Sequence, residues 1–431
     1  MIVRKIRPEE LKRTRELFSV AFDYPYDCKD SKEEVYKKVV ENPETREDAY
    51  PLDKYAAFED DDETMFSCLS AIRYPMTFDG HRVPMAGIGG VSSLPTHRNR
   101  GGIRGCFTTM LPDLYQQGTV FSCLYPFSTA YYRKFGYELH TPADHCEIRL
   151  SYLPKCKVGG HSVLVDEQNC EKVLPDVKAV YEKWQDHYNG MIVNEGWEYR
   201  FITQANPYKT LEFTYVYYKE DGTPAAFLTF HNNKTAEGQK LNCKKFVFAD
   251  REGLKGLFAL IKSFEADYLS IELDLPDLSL IELMIPEWSF GAAKINRLHM
   301  GMVRVINVQK ALEMARYQEN GKITIQVEDD QIEENRGFYT VTFTDGKAVN
   351  VVHTETAESC DIHMPINQLS RFLFGTLETE ALAWCEDVEF EDTPQKWELF
   401  RKVFYRTLFF DGILLKTEKH ENKIKPPGLM Y

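Results

Sequence analysis

The chain has 431 residues, of which 43% are hydrophobic and 27% charged, a composition typical of a folded protein rather than of a disordered or membrane-spanning one. Its 52 basic and 66 acidic side chains give a formal net charge of −14, which disfavours nucleic acid and anionic membranes as partners and favours cationic ones, although the same charge could serve solubility alone. The start, MIVRKIRPEELKR, lacks the apolar core of a signal peptide, and no run reaches the ~18 apolar residues of a transmembrane helix, so we expect a cytoplasmic protein.

The ten cysteines are spread along the chain without a metal-binding or disulfide pattern. No C-x-x-C pair occurs, and no histidine cluster accompanies them, so we expect buried free thiols and no metal cofactor. Their positions are 28, 68, 106, 123, 146, 156, 170, 243, 360 and 385.

Residues 1–150 alternate predicted helices and strands. A short strand precedes a helix opened by Pro8, with Leu11, Phe18 and Phe22 on its apolar face. Two strands flank Asp79-Gly80, a dipeptide typical of a tight hairpin. The later elements are a helix GIRGCFTTMLPDLYQQG that Pro112 should kink, a strand TVFSCLYP, a short helix STAYYRKFG and a strand YELH.

Residues 151–295 repeat this order of strands, one helix and a further strand, so we expect a second, duplicated domain. The helix start Asp250–Leu254 lacks the glycine and arginine spacing of residues 98–101, which indicates a duplicate whose anion site has lapsed. Residues 296–431 form a small α+β unit with a hairpin at Asp345-Gly346. The predicted fold class is therefore α/β (α+β), with two mixed-sheet domains followed by this unit.

The segment PTHRNRGGIRGCF (95–107) connects a strand ending at Val91–Ser93 to a helix that begins near Gly102. Unpaired N–H groups at a helix N-terminus, glycines that allow close approach and arginines of opposite charge together suit a phosphate group. Neither a P-loop nor a G-x-G-x-x-G fingerprint is present, so a P-loop site and a Rossmann site are excluded. A plain surface turn remains the alternative on this pattern alone.

A second motif, AYYRKFGYE, follows about thirty residues later. Together the two motifs resemble the GNAT superfamily of acetyltransferases, in which R-x-x-G-x-[GA] holds the pyrophosphate of acetyl-CoA; Ile103 stands here where Gly or Ala is usual. With the degenerate second domain and a sterol-carrier-like unit, nearly the whole chain resembles the Eis (enhanced intracellular survival) family of amine acetyltransferases.

That resemblance implies an acetyl-CoA cosubstrate, a homo-oligomer, commonly a hexamer, and a set of site residues. Tyr132 is the implied proton donor, and the carboxylate of the last residue, Tyr431, is the implied general base. The implied acetyl-CoA contacts are Val91, Ser92, Ser93, Asn99, Arg100, Gly101, Gly102, Ile103, Arg104, Phe127 and Ser128.

The chemistry is consistent with these assignments, because an alkylammonium with a pKa near 10 must lose a proton before it can attack a thioester. We therefore expect an N-acetyltransferase acting by direct attack on primary amines of aminoglycoside, polyamine or lysine type. Without the resemblance, Tyr131, Tyr132 and Tyr137 would be interpreted as core aromatics. His97 is expected to make a structural hydrogen bond in the turn rather than to act as a base, and Asp23 is a candidate cation anchor in the amine pocket. A carrier of hydrophobic ligands and an acetyl-CoA sensor remain alternative functions.

Overall fold

A computed structural model describes most of the chain as two compact units. One unit is formed by residues 1–140 with residues 301–405, and the other by residues 143–299. The described residues are 1–26, 29, 31–41, 52–140, 143–194, 196–275, 282, 285–289, 291–299 and 301–405.

The predicted elements occur in the predicted order, and the structure adds elements that were not predicted, among them the helix Cys170–Gln185. The strands are β1 (Ile2–Lys5), β2 (Leu52–Phe58), β3 (Met65–Phe78), β4 (His81–Ser93), β5 (Phe121–Leu124), β6 (Glu138–Leu139), β7 (Ala143–Arg149), β8 (His161–Leu164), β9 (Glu212–Tyr218), β10 (Pro224–Thr235), β11 (Gly238–Phe248), β12 (Ser270–Leu275), β13 (Ala293–Leu298), β14 (Met302–Val305), β15 (Gly321–Glu328), β16 (Gly337–Thr344), β17 (Lys347–Thr354), β18 (Ile362–Pro365) and β19 (Glu389–Phe390). The α-helices are α1 (Leu11–Phe22), α2 (Lys32–Glu41), α3 (Gly102–Gln116), α4 (Thr129–Arg133), α5 (Cys170–Gln185), α6 (Arg200–Thr203), α7 (Pro207–Thr210), α8 (Arg251–Ser263), α9 (Val308–Met314), α10 (Ile366–Leu373) and α11 (Pro394–Val403).

The first unit contains a seven-stranded sheet in the order β1-β2-β3-β4-β5-β14-β6. Only β4 and β5 run parallel among these neighbours; the other pairs are antiparallel. The predicted hairpin at Asp79-Gly80 is confirmed, since both residues have the positive φ of a tight turn, 46° and 83°. The strand β14 comes from far along the sequence and lies between β5 and β6, so the first sheet is completed by residues outside the predicted domain 1–150. The predicted division into 1–150, 151–295 and 296–431 stays a prediction.

Helix α3 packs on this sheet through an apolar face. Cys106, Phe107, Met110 and Leu114 of the helix are buried in one core cluster with side chains of β2 and β3. Leu11 and Phe18 of α1 are buried as predicted, but Phe22 is 42% exposed because α1 ends there.

A five-stranded sheet in the order β17-β16-β15-β18-β19 completes the first unit. The predicted hairpin at Asp345-Gly346 joins β16 to β17, again with positive φ at both residues, 52° and 79°. The inward side chains Ile325, Val341 and Phe343 are fully buried, so this α+β sheet has a packed apolar core.

The second unit contains a seven-stranded sheet in the order β13-β7-β12-β11-β10-β9-β8. Here β11 and β12 are the parallel pair, and α8 connects them, as α3 connects the parallel strands β4 and β5. The chain therefore carries the same strand–helix–strand arrangement twice, which confirms the predicted α/β (α+β) fold class with duplicated mixed-sheet domains.

Two observations concern the cysteines and the possibility of membrane-spanning helices. The nine cysteines in the described part of the chain are free thiols. Across the same residues, no helix combines the length and apolar character that a membrane span requires.

Candidate active site

The site begins where the parallel strands β4 and β5 separate. Their pairing runs from Met85 opposite Phe121 to Ile88 opposite Leu124, while β4 continues five residues further, through Ser93. Along this extension β4 pairs with β3 on its other side. The backbone groups of residues 89–93 that face away from β3 are therefore not paired with β5, and they can serve a ligand.

A β-bulge shapes the same extension. The register between β3 and β4 shifts at Cys68 and Ser70, opposite Gly90. Gly90 has φ +60°, and a Cβ there would lie 2.5 Å from the ring of Phe18. Glycine is thus required both by the left-handed backbone and by the close ring.

The two serines at the end of β4 are held by side-chain contacts to β3. Ser92 Oγ lies 3.3 Å from Cys68 Sγ, and Ser93 Oγ lies 2.6 Å from Ser67 Oγ. Because these hydroxyls already have partners, a ligand at this strand end would meet mainly backbone groups and the half-buried Val91.

The predicted phosphate turn has a backbone suited to an anion. Asn99 and Gly101 have positive φ, 66° and 83°, and Gly101 caps α3 in the left-handed conformation. The first helical hydrogen bond runs from Gly105 N–H to Gly101 C=O at 2.9 Å. The N–H groups of residues 102–104 therefore point out of the positive end of the helix dipole.

Close packing fixes the start of α3 against the sheet. A Cβ at Gly102 would lie 2.5 Å from Ser67 Oγ and 2.7 Å from the Phe66 ring. Ile103, which stands at the position where the resembled motif has a small residue, is half-buried and packs against the core of the sheet. Its side chain therefore points toward the protein, and its backbone N–H remains at the helix start.

The charged side chains around the turn divide into two groups. Glu59 accepts hydrogen bonds from Arg100 at 2.8 Å and from His97 at 3.0 Å, and the His97 ring stacks on Phe66. Among the described residues no carboxylate pairs with Arg98 or Arg104, which are exposed. His97 thus has a structural role in the turn, and the positive charge available to an anion comes from Arg98 and Arg104.

The second motif forms the short helix α4. Ser128 caps it by accepting the Tyr131 N–H at 3.3 Å. Phe127, which is 73% exposed, packs its ring against Tyr131 and Tyr132 at centroid distances of 5.3 and 5.4 Å. Burial raises the pKa of Tyr131. The Tyr132 ring contacts Phe107 of α3, which places the two motifs side by side.

Tyr132 combines a buried ring with a hydroxyl that has no protein partner in the described part of the chain. The residue is 2% exposed, and its ring makes an edge contact with Phe107 of α3 at 5.9 Å. Burial raises the pKa of Tyr132 well above its usual value, so the phenol stays protonated at neutral pH. By contrast, the buried Tyr137 hydroxyl is 2.6 Å from Ser122 Oγ, which itself donates to the Ala86 carbonyl.

Two side-chain contacts hold the backbone of α4 and of the turn that follows it. Arg133 makes a bidentate ion pair with Glu138, both bonds being 2.8 Å. Burial alone would raise the pKa of Glu138, yet the hydrogen bonds from Arg133 and Leu139 hold it below its usual value. Arg304 of β14 donates to the Phe135 carbonyl at 2.6 Å.

Sequence reasoning did not single out Arg304. The signal was a lone charge in the centre of the apolar run MVRV, a position where a buried arginine needs a dedicated partner. Tyr431, the implied general base, lies outside the described residues. Asp23 is exposed at the end of α1, with φ 54°.

Comparison with known families gives two matches along the chain. Residues 2–140 match the model of the acetyltransferase (GNAT) domain, and residues 308–407 match that of a sterol carrier protein domain. A protein from Streptomyces avermitilis named as an uncharacterized N-acetyltransferase is 26% identical over 313 residues, which are 69% of this chain and 73% of that protein.

Solved structures share the fold over nearly the whole chain. A probable N-acyltransferase from Enterococcus faecalis has a TM-score of 0.77 at 25% identity, covering 95% of this chain and 99% of its own. Eis1 from Mycobacterium abscessus has a TM-score of 0.75 at 18% identity, covering 96% of this chain and 99% of its own. The predicted resemblance in architecture is thereby confirmed.

Proposed function

Since this chain is a GNAT acetyltransferase that also carries a sterol carrier protein domain, we propose that it transfers the acetyl group of acetyl-CoA to primary amines of cationic small molecules. The observation that carries the proposal is the Tyr132 hydroxyl, which has no protein partner among the described residues, on a buried ring that packs against Phe107 of α3. A core tyrosine such as Tyr137 uses its hydroxyl within the protein, whereas no other described residue bonds the Tyr132 hydroxyl, which could therefore serve a ligand.

The residues at the start of α3 suit the cosubstrate. The N–H groups of residues 102–104 and the charges of Arg98 and Arg104 would hold the pyrophosphate, with Asn99, Arg100 and Gly101 shaping the turn. The separated end of β4, at Val91, Ser92 and Ser93, and the residues Phe127 and Ser128 would line the arm that leads to the thioester. When bound, acetyl-CoA supplies an activated acetyl group.

Groups of the protein then transfer the protons and stabilise the charge that develops during the reaction. In this proposal the carboxylate of Tyr431 accepts the proton of the substrate ammonium, directly or through water. Backbone N–H groups at the end of β4 stabilise the oxyanion that develops on the acetyl carbonyl. Tyr132 donates its hydroxyl proton to the departing sulfur, which suppresses the reverse reaction. The second proton that the nitrogen loses, as the amide forms, restores the Tyr132 hydroxyl through water. No covalent intermediate on the protein is needed, because the amine attacks directly.

The net charge of −14 supports a cationic substrate, for which aminoglycosides, polyamines and lysine side chains are the candidate classes. We also propose that the protein works in the cytoplasm as a homo-oligomer, with a hexamer as the state implied by the resemblance. Light scattering of the purified chain tests that assembly.

The deciding experiment follows free-thiol release from acetyl-CoA with a panel of amines: aminoglycosides, polyamines, amino acids and lysine peptides, each with a no-amine control. We expect thiol release that depends on the amine and ranks the classes. Acetyl-CoA binding without turnover on any amine would favour a sensor instead. If acetyl-CoA does not bind, the assignment of the turn at residues 99–104 is wrong, and a hydrophobic-ligand carrier becomes the better hypothesis.

A further inference from the structure

The turn that follows α4 is held by an arginine from a strand far along the chain. Arg304 lies on β14 opposite Ser122 of β5, and its side chain is fully buried. One terminal nitrogen donates to the Phe135 carbonyl at 2.6 Å, and the other reaches both carboxylate oxygens of Asp329 at 2.7 Å. A single guanidinium therefore joins the acetyltransferase domain to the sterol carrier protein domain.

Asp329 is itself fixed on the sterol carrier side. Its carboxylate accepts the backbone N–H groups of Gln331 and Ile332 at 2.9 and 3.1 Å, and the amide of Asn335 at 3.0 Å. With these partners the buried charge of Asp329 cannot turn away from Arg304 without leaving several donors unpaired. Asp329 thus holds one terminal nitrogen of Arg304 in place, and the other terminal nitrogen, Nη1, faces the turn.

On the other side of Arg304, the turn is bonded directly to Tyr132. The carbonyl of Tyr132 accepts the N–H groups of Phe135 at 2.9 Å and of Tyr137 at 3.4 Å. Gly136, with φ +78°, lies so close that a Cβ there would be 1.7 Å from Arg304 Nη1. The glycine of the FG motif is required here both for the left-handed turn and to admit the guanidinium.

We propose that Arg304 is a positioning residue for acetyl transfer: through the Phe135 carbonyl it fixes the backbone of Tyr132, and therefore the place of the Tyr132 hydroxyl. The inference rests on the proposed role of Tyr132 as proton donor. It also gives the sterol carrier protein domain a part in the reaction, since Asp329 of that domain aligns the arginine. A shift of about 1 Å in a reacting group can cost about 100-fold in rate, so a brace of this kind affects turnover rather than binding.

The test replaces both charges together, as Arg304→Met with Asp329→Asn, so that neither is left buried alone. The asparagine keeps an oxygen for the N–H groups of residues 331 and 332 and loses only the bond from the Asn335 amide. We expect an unchanged acetyl-CoA Kd and a kcat about tenfold lower. In a Tyr132→Phe background the same pair of substitutions should lower kcat no further, because the positioned hydroxyl is already missing.

The matched control is Lys396→Met with Asp361→Asn, which removes another charge pair of the same domain; Asp361 accepts the Thr324 N–H of β15 rather than contacting the turn. It should leave kcat unchanged. The inference would be overturned if the folded double variant Arg304→Met with Asp329→Asn had a normal kcat. A loss of kcat that adds to the loss caused by Tyr132→Phe would overturn it as well. If Tyr132→Phe alone keeps full kcat, the proton-donor role of Tyr132 fails instead. The acetyltransferase function itself fails only if the unsubstituted protein shows no amine-dependent thiol release, so the failures are distinguishable.

Should the Arg304 pair not fold, Arg304→Lys provides the same test. A lysine keeps a positive charge against Asp329, but its single nitrogen cannot replace both the bidentate pair and the bond to Phe135. We expect this variant to fold and to lose about threefold in kcat at constant acetyl-CoA Kd. An unchanged kcat would rule out the positioning role.

Discussion

The segments at the starts of the two connecting helices, α3 and α8, are similar in sequence and yet present opposite surfaces to an anion. Residues 99–105 read NRGGIRG, and residues 250–256 read DREGLKG. Gly102 and Gly253 occupy equivalent places: a Cβ on either would collide with the neighbouring strand, 2.5 Å from Ser67 Oγ and 2.2 Å from the Ala225 carbonyl. These glycines therefore serve helix–sheet packing in both domains.

The difference lies just before those glycines. In the first helix Asn99 and Gly101 form a left-handed turn that leaves the leading N–H groups open. In the second, Asp250 Oδ1 accepts the Gly253 N–H at 2.9 Å, and Asp250 Oδ2 binds Lys219 at 2.6 Å. The protein's own carboxylate thus occupies the place where an external anion would bind. The fold therefore requires a glycine that packs against the sheet in both helices. Phosphate binding requires in addition a helix start that no side chain of the protein caps.

The strongest test of this difference transfers the second sequence into the first, as Gly101→Glu. The residue has φ +83°, which a glutamate adopts only with strain, and a carboxylate would repel the pyrophosphate. We expect a calorimetric titration to show acetyl-CoA affinity lowered about 100-fold or more, which is a loss of roughly 3 kcal/mol of binding free energy. Glu252→Gly, the reverse change in α8, is the control and should leave that affinity unchanged. Equal losses in both would mean that the two helix starts are not functionally different.

A second test asks whether the proposed base lies at the chain terminus. Deleting Tyr431 leaves a terminal carboxylate but withdraws it by about 3.5 Å of chain. We expect kcat to fall by about 100-fold while the melting temperature and the acetyl-CoA Kd stay constant, because a misplaced general base loses most of its contribution. Full activity in this truncation would dismiss the terminal carboxylate as base.

Tyr132→Phe probes the hydroxyl that is the proposed proton donor. Because a thiolate leaves without a strong acid, we expect a smaller effect, about tenfold in kcat, with acetyl-CoA affinity nearly unchanged. Tyr131→Phe is the neighbouring control for a general loss of packing in α4. A parallel loss of cofactor affinity in Tyr132→Phe would make the tyrosine structural.

The smallest expected effect concerns the capped helix. Asp250→Ala removes the cap of α8 and should lower the free energy of unfolding by about 1 kcal/mol without changing activity. Burial alone would raise the pKa of Asp250, but Lys219 and the Gly253 N–H hold it below its usual value. The cap therefore stabilises the fold above the unfolded pKa of about 3.9 and loses its effect as the pH falls through the lower folded value. Denaturant unfolding of the unsubstituted protein and of Asp250→Ala, at neutral and at strongly acidic pH, would show whether the difference in their free energies of unfolding disappears in acid.

Local signals in the sequence predicted the local structure well. The dipeptides Asp79-Gly80 and Asp345-Gly346 form hairpins because their residues tolerate positive φ, and the helix starts near Gly102 as the glycine-containing turn indicates. The predicted loss of the anion site at Asp250 agrees with the sequence, in which Glu252 stands where the first segment has Gly101.

Contacts between distant residues could not be predicted in this way. No local pattern directs Met302–Val305 to a place between β5 and β6, because strand pairing across so many residues depends on the whole sheet. The same holds for the bond from Arg304 to Phe135 and for the pairing of Glu59 with Arg100, which removes one arginine from the charge open to a phosphate. The assignments of Tyr132 and Tyr431 to catalysis remain proposals.

The position of β14 has a consequence for how the protein is made. When residue 140 has left the ribosome, the first sheet still lacks the strand that separates β5 from β6, and about 160 further residues must be translated before that strand emerges. At about 5–20 residues per second, the nascent sheet waits roughly 10–30 seconds with two unfilled edges. During that interval the exposed strands are open to wrong partners, so a chaperone that shields them and a translation rate that shortens the wait would both raise the yield of active enzyme.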